Sequence, residues 1–124
     1  MEAMSGAAQD CIFCRIVRGE VPARKVYEDD EIFAFHDISP VAPTHFMIIP
    51  KRHIGSLAEA GADDAGVLGR ILVLTGRLAL ENGSPDGYRT IVNTGRIARQ
   101  DVQHVHVHVI GGPERLGHML PRSA

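Results

Sequence analysis

The 124-residue chain has almost no excess of either charge. Its net charge is −2 with histidine neutral and its isoelectric point is about 6.4, so it lacks the basic field that bulk binding to nucleic acid or to an anionic membrane needs. No apolar run approaches the roughly 18 residues that span a bilayer. The N-terminal stretch MEAMSGAAQD has no basic segment followed by a greasy one. Residues 1–9 therefore read as a loose leader and not as a secretory signal. Internal repeats and linkers are absent. Cysteines number only two, Cys11 and Cys14. Without an export signal the default compartment is the cytosol, where such a pair argues against a structural disulfide. These absences leave a single globular domain over residues 10–124 with one core.

Patterning then orders the chain. CIFCRIVRGE predicts one or two helical turns stopped at Gly19. KVYEDD and EIFAFHDI read as two strands joined at Asp29-Asp30. Pro40 and Pro43 mark a loop, and THFMII reads as a buried strand closed by Pro50. Asp63 or Asp64 can cap a helix running to about Asn82. Val67, Leu68, Ile71, Leu74 and Leu78 form its apolar stripe, and Gly83 ends it. YRTIVN is another strand, GRIARQD a polar loop, and VQHVHVHVI a last strand broken by Gly111-Gly112. Strands in this order, with hairpin-like neighbours, predict an α+β fold on an antiparallel sheet.

The last strand carries the chemistry. Side chains alternate faces along a strand, so His104, His106 and His108 share one face and Val105, Val107 and Val109 the other. One histidine on a half-exposed strand is an ordinary surface residue. Three in register are not, and the valine alternation at an internal position excludes a purification tag. Two chemical readings remain open on these grounds. The face could ligate a metal, or one imidazole could act as nucleophile or base while its neighbours arrange the substrate.

HVHVHVI resembles the His-x-His-x-His signature of the histidine-triad (HIT) superfamily. CIFCRIVRGEVPARKVYEDDEIFAFHDISPVAPTHFMIIPKRHI, GYRTIVNTG and IGGPERLGHML resemble successive parts of the histidine triad nucleotide-binding proteins, the purine nucleoside phosphoramidase branch. The likeness runs over roughly residues 10–120. It implies a five-stranded antiparallel sheet with two helices and a homodimer packed through the long helix and the sheet edge. It also implies a hydrolase that cleaves nucleoside 5′-phosphoramidates, conjugates of AMP with an amine, at the α-phosphate. His106 would attack phosphorus and form a nucleotidyl-histidine, which water then resolves. Neutral imidazole is a competent nucleophile near pH 7, given a group that fixes its proton on one nitrogen. The resemblance supplies a backbone carbonyl of the triad strand for that task. His108 would bind phosphate oxygens or the leaving group, and His104 completes the triad.

The same likeness assigns a purine nucleotide pocket. Phe35 and Ile38 flank the base with Ile12 and Phe13 near it, His36 is a pocket wall, and Asp37 binds the ribose hydroxyls. Taken alone, Asp37 would be a solvated turn residue; its place within HDISP reverses that reading. Asn93, with Gln100, Asp101 and Val102, would contact the phosphate. Phe33 reads as core, and His45 as structural. One departure stands out. The branch usually carries a glycine-rich loop ending Gly-Gln-Ser, where this chain has Arg99-Gln100-Asp101, which bears on the leaving group. Finally, Cys11 and Cys14 form a C-x-x-C pair, by itself a redox motif, half a zinc site or two small hydrophobes. By resemblance His53 and His104 complete a closed structural zinc site, which would remove His104 from the catalytic count and would not be required for catalysis. Rival readings are a diadenosine polyphosphate hydrolase of the same superfamily, a non-catalytic nucleotide-binding protein, and a catalytic metal held by the three histidines.

Overall fold

The computed structural model describes residues 10–121, so the predicted leader lies outside the described residues. Helix α1 spans Ile12–Val17, with Cys11 as N-cap and its sulfur accepting the Cys14 N–H at 3.4 Å. It stops where predicted. Gly19 turns to φ 78°, while the Glu20 and Gly19 N–H groups close back on the carbonyls of Arg15 and Ile16 at 2.9 and 3.0 Å. The strands follow as β1 Lys25–Glu28, β2 Ile32–His36 and β3 Thr44–Pro50; helix α2 Ala65–Glu81 precedes β4 Arg89–Ile91 and β5 Val107–Gly111. They form one sheet in the order β1-β2-β3-β5-β4, antiparallel at every pairing. The expected architecture of five antiparallel strands and two helices is the one found. The β1–β2 turn is tied by Asp29, whose Oδ1 accepts the N–H groups of Glu31 and Ile32 at 2.8 and 2.9 Å.

Because β3 is central, both its faces are covered and all seven of its residues are buried. Alternation divides the molecule into two cores. On one face α2 packs Val67, Ile71, Leu78 and Ala79 against Ile32, Ala34, Phe46 and Ile48 and against Val105, Val107 and Val109. Complete burial of a side chain such as Phe46 or Ile71 stabilises by about 1.5–3 kcal/mol, and Ile71→Ala would cost about 2–5 kcal/mol. On the opposite face Phe33, Phe35, Met47 and Ile49 meet α1 through Cys11, Phe13 and Cys14.

One expectation is corrected. The triad segment does not pair along its whole length: the ladder begins only at Val107, opposite Ile48. Pro50 explains the stop, since it has no N–H to offer the adjacent chain. Its carbonyl accepts the ring of His104 at 2.7 Å instead of a backbone amide. The His104 N–H turns back to the Val102 carbonyl, and the Val105 N–H is taken by Ile54. His104 and His106 therefore precede the strand that carries His108, yet they keep to its face.

Candidate active site and metal centre

The three histidines face the α1 side of the sheet and are held differently. The His106 ring meets Phe13 and His108 edge-on, with centroids 5.2 and 5.0 Å apart. His106 Nδ1 donates to the His104 carbonyl at 2.8 Å. That bond places the proton on Nδ1 and leaves the lone pair on Nε2. Among the described residues no buried side-chain nitrogen or oxygen lacks a partner. His106 Nε2, which has none, therefore reaches the surface of an otherwise buried ring.

His108 is set by a residue that the sequence left without a role. His45 on β3 is a diagonal neighbour of His108, which pairs with Met47. His45 Nδ1 accepts the Val41 N–H at 3.1 Å, so Nε2 bears the proton and donates to His108 Nδ1 at 2.9 Å. His108 must then carry its own proton on Nε2. The result is a nitrogen lone pair on His106 beside an N–H on His108. Burial, with the neighbouring His106 and His45 rings, holds His108 below the usual imidazole value, while Asp37 and Asp101 pull it partly back. A histidine inside a fully buried strand was the available signal for His45, because both of its nitrogens need partners there.

His104 belongs to another group. Its Nε2 donates to Pro50, so Nδ1 is the free donor atom, 3.3 Å from Cys11 Sγ and 3.5 Å from Cys14 Sγ. His53 Nδ1 lies 3.3 Å from Cys14 Sγ. All four donor atoms fall within 4.8 Å of one another and could hold a metal ion. A tetrahedral site with metal–sulfur bonds of about 2.3 Å and metal–nitrogen bonds of about 2.05 Å has nitrogen–sulfur edges of about 3.5 Å, so the donor set fits. Burial pushes the His104 ring down to about 4 and, with Cys11 alongside, raises the Cys14 thiol to about 12. Such groups stay neutral without a metal, and a bound cation would deprotonate the thiols. Asp37, His45 and His108 also cluster. There, however, the Val41 N–H occupies one His45 nitrogen and forces a proton onto the other, which makes that group a hydrogen-bond relay. The three triad rings do not converge on a shared metal: His104 Nδ1 faces the cysteines, His106 Nδ1 the His104 carbonyl and His108 Nδ1 the His45 ring.

The family model for the HIT domain matches residues 18–115. The chain belongs to the HIT family. Protein HitA of Neisseria gonorrhoeae is 43% identical over 104 residues, 84% of this chain and 97% of that protein. A HIT family hydrolase from Legionella pneumophila superposes with a TM-score of 0.80 at 44% identity, covering 85% of this chain and 95% of its own. The histidine triad nucleotide-binding protein from Candida albicans superposes with a TM-score of 0.72 at 40% identity, covering 93% and 85%. The fold is thus that of HIT hydrolases and nucleotide-binding proteins. No helix among the described residues is long and apolar enough to cross a membrane.

The remaining expected HIT site residues fall into distinct places. Phe13 and Phe35 are buried and meet edge-on with centroids 5.4 Å apart; Ile12 is exposed, and Ile38 is almost wholly so at 98%. Asp37 accepts the Ser39 N–H at 2.8 Å and lies 3.4 Å from His45 Nε2. His36, at the end of β2, pairs with Phe46 and so shares the α2 face, opposite the triad. Asn93, half-buried, follows β4; the Ile91–His108 register, carried two residues on, sets it level with His106. The Gln100 side chain braces the loop ahead of the triad. Its Oε1 accepts the Gly95 N–H at 2.9 Å, and its Nε2 donates to the Gly55 and Val102 carbonyls at 2.7 and 3.0 Å. Asp101 is exposed, Val102 packs on the α1-side core, and Arg99 has φ 57°, the one positive φ outside glycine among the described residues.

Proposed function

We propose that this HIT protein hydrolyses purine nucleoside 5′-phosphoramidates. The observation that carries the reading is the pairing of His106, with its proton fixed on Nδ1 by the His104 carbonyl, and His108, with its proton fixed on Nε2 by His45. His106 Nε2 attacks the α-phosphorus. The P–N bond breaks and the amine leaves with a proton donated from the His108 side. Water then attacks the nucleotidyl-histidine, regenerates the imidazole and releases AMP. His108 Nε2–H, Asn93 and the N–H groups around Asp101 and Val102 offset the charge that builds on the phosphate oxygens. Phe13 and Phe35 form the buried wall for the base, Ile12 and Ile38 its exposed rim, and Asp37 the ribose anchor.

Asp101 favours an amine over a polyphosphate as leaving group. Its charge acts on His108, and a carboxylate there repels an anionic leaving group while suiting an amine. Cys11, Cys14, His53 and His104 would hold zinc, which supplies structure by tying α1 to the sheet. A cytosolic setting, which keeps thiols reduced, suits that ligation. A two-fold dimer through α2 is supported by its outer stripe. Gly66, Gly69, Val73, Gly76 and Leu80 recur every three or four residues, with Val73 84% and Leu80 63% exposed. The test is steady release of AMP from an adenosine 5′-phosphoramidate beside His106→Gly. Turnover abolished by the substitution supports the reading; turnover that survives it overturns the mechanism.

A further inference from the structure

The metal centre and the nucleophile share a residue. His104 offers its ring Nδ1 to the Cys11 and Cys14 sulfurs, and its carbonyl holds His106 Nδ1. The same centre anchors α1, whose Phe13 touches the rings of Phe35, His104 and His106. The core under α2 contains none of these groups, so the α1 side can loosen while the rest of the fold persists. Both sulfurs sit one helical turn apart, within 4.8 Å, a spacing that a disulfide can close at a helix N-terminus. His53, the one donor of the four that is not fully buried, borders an open hollow lined also by Arg52, Gly55 and Glu59.

We propose that Cys11 and Cys14 form an oxidation-sensitive latch on the active site. In the reduced form they complete the four-donor centre that keeps His104, and through it His106, in place. A peroxide removes one electron from each thiolate. The Sγ–Sγ bond forms, the peroxide O–O bond breaks, and two waters leave with two protons from solvent. Two of the four donors are then withdrawn, and the metal dissociates from the remaining histidines. The His104 ring is left with its Pro50 bond alone, its carbonyl no longer fixes the proton of His106, and Phe13 loses its anchor. The cysteines are positioning residues in this scheme, acting on the reaction only through His104 and α1. The inference rests on the metal and nucleophile readings above.

The test uses the zinc-loaded protein exposed to hydrogen peroxide. Free thiols, zinc captured by a chromogenic chelator, far-UV circular dichroism, the ¹⁵N imidazole signature of His106 and the affinity for AMP are followed together. The expected result is one zinc released per two thiols lost, with secondary structure retained. His106 passes from a single Nδ1–H tautomer to a mixture, and AMP affinity falls about tenfold or more. A thiol reductant with added zinc restores all of these. His53→Ala, which keeps both thiols, is expected to release zinc and loosen His106 without oxidant. Zinc release that leaves the His106 signature and AMP affinity unchanged overturns the proposal. So does unfolding that accompanies the loss of thiols. Should the protein turn over no phosphoramidate while the zinc and ¹⁵N readouts still move together, the functional reading fails and the latch stands.

Discussion

His45 Nε2 lies 2.9 Å from His108 Nδ1, with the Val41 N–H on the far side of the same ring. The backbone of one loop thereby selects the tautomer of an active-site side chain two rings away. His45→Phe keeps the volume of the buried ring roughly and removes the donor. It is expected to lower kcat on the order of 10²-fold, as a lost proton-transfer arrangement does, with KM nearly unchanged. Steady-state kinetics check this; an equal rise in KM with kcat intact would assign His45 to binding instead.

Gln100 holds the loop ahead of the triad by three side-chain bonds to backbone groups. Gln100→Ala leaves the Gly95 N–H and the Gly55 carbonyl unpaired in a buried place, while the Val102 carbonyl keeps the His104 N–H. A loss of about 2–3 kcal/mol is expected in a denaturant titration, larger than any surface substitution produces. A loss under 0.5 kcal/mol would mean that water replaces the side chain at no cost.

Arg99 occupies the left-handed region at φ 57°, which favours glycine. Arg99→Gly relieves that strain but adds freedom to the unfolded chain, so the net gain is up to about 1 kcal/mol. Thermal melting should show a small rise. A fall would reveal a stabilising contact made by the arginine.

Burial alone would raise the Asp29 carboxyl. Bonds from Tyr27 and from the Glu31 and Ile32 N–H groups, with Arg70 nearby, reverse this and hold it at about 2 against an ordinary 3.8. The unfolded chain takes up this proton first as the pH falls. The contribution, about 1–2 kcal/mol, is therefore whole above pH 3.8 and drains away as the pH falls through 2. Asp29→Asn should destabilise at pH 6 and converge on the parent near pH 2. Parallel stability curves would contradict the assignment.

Much of this molecule is legible in its residues. Gly19 and Gly83 stop the helices, alternation separates the valines from the histidines, and the C-x-x-C pair meets His53 and His104 in one centre. What stays hidden depends on register. Nothing local places His45 diagonal to His108, because that follows from how β3 slides along β5. The early end of the β5 ladder follows from Pro50, a residue in a different strand. The bonds of Gln100 to the Gly55 and Gly95 backbones are likewise shown only by tertiary structure.

In this mechanism His106 Nε2 makes the covalent bond to phosphorus. The most direct measurement is mass spectrometry of the protein mixed with an adenosine 5′-phosphoramidate and quenched in alkaline denaturant, where a phosphorus–imidazole bond survives. One nucleotidyl group per chain is expected on the peptide containing His106, absent in His106→Gly. Rapid AMP release with no adduct at any quench time, or an adduct on another residue, would contradict it.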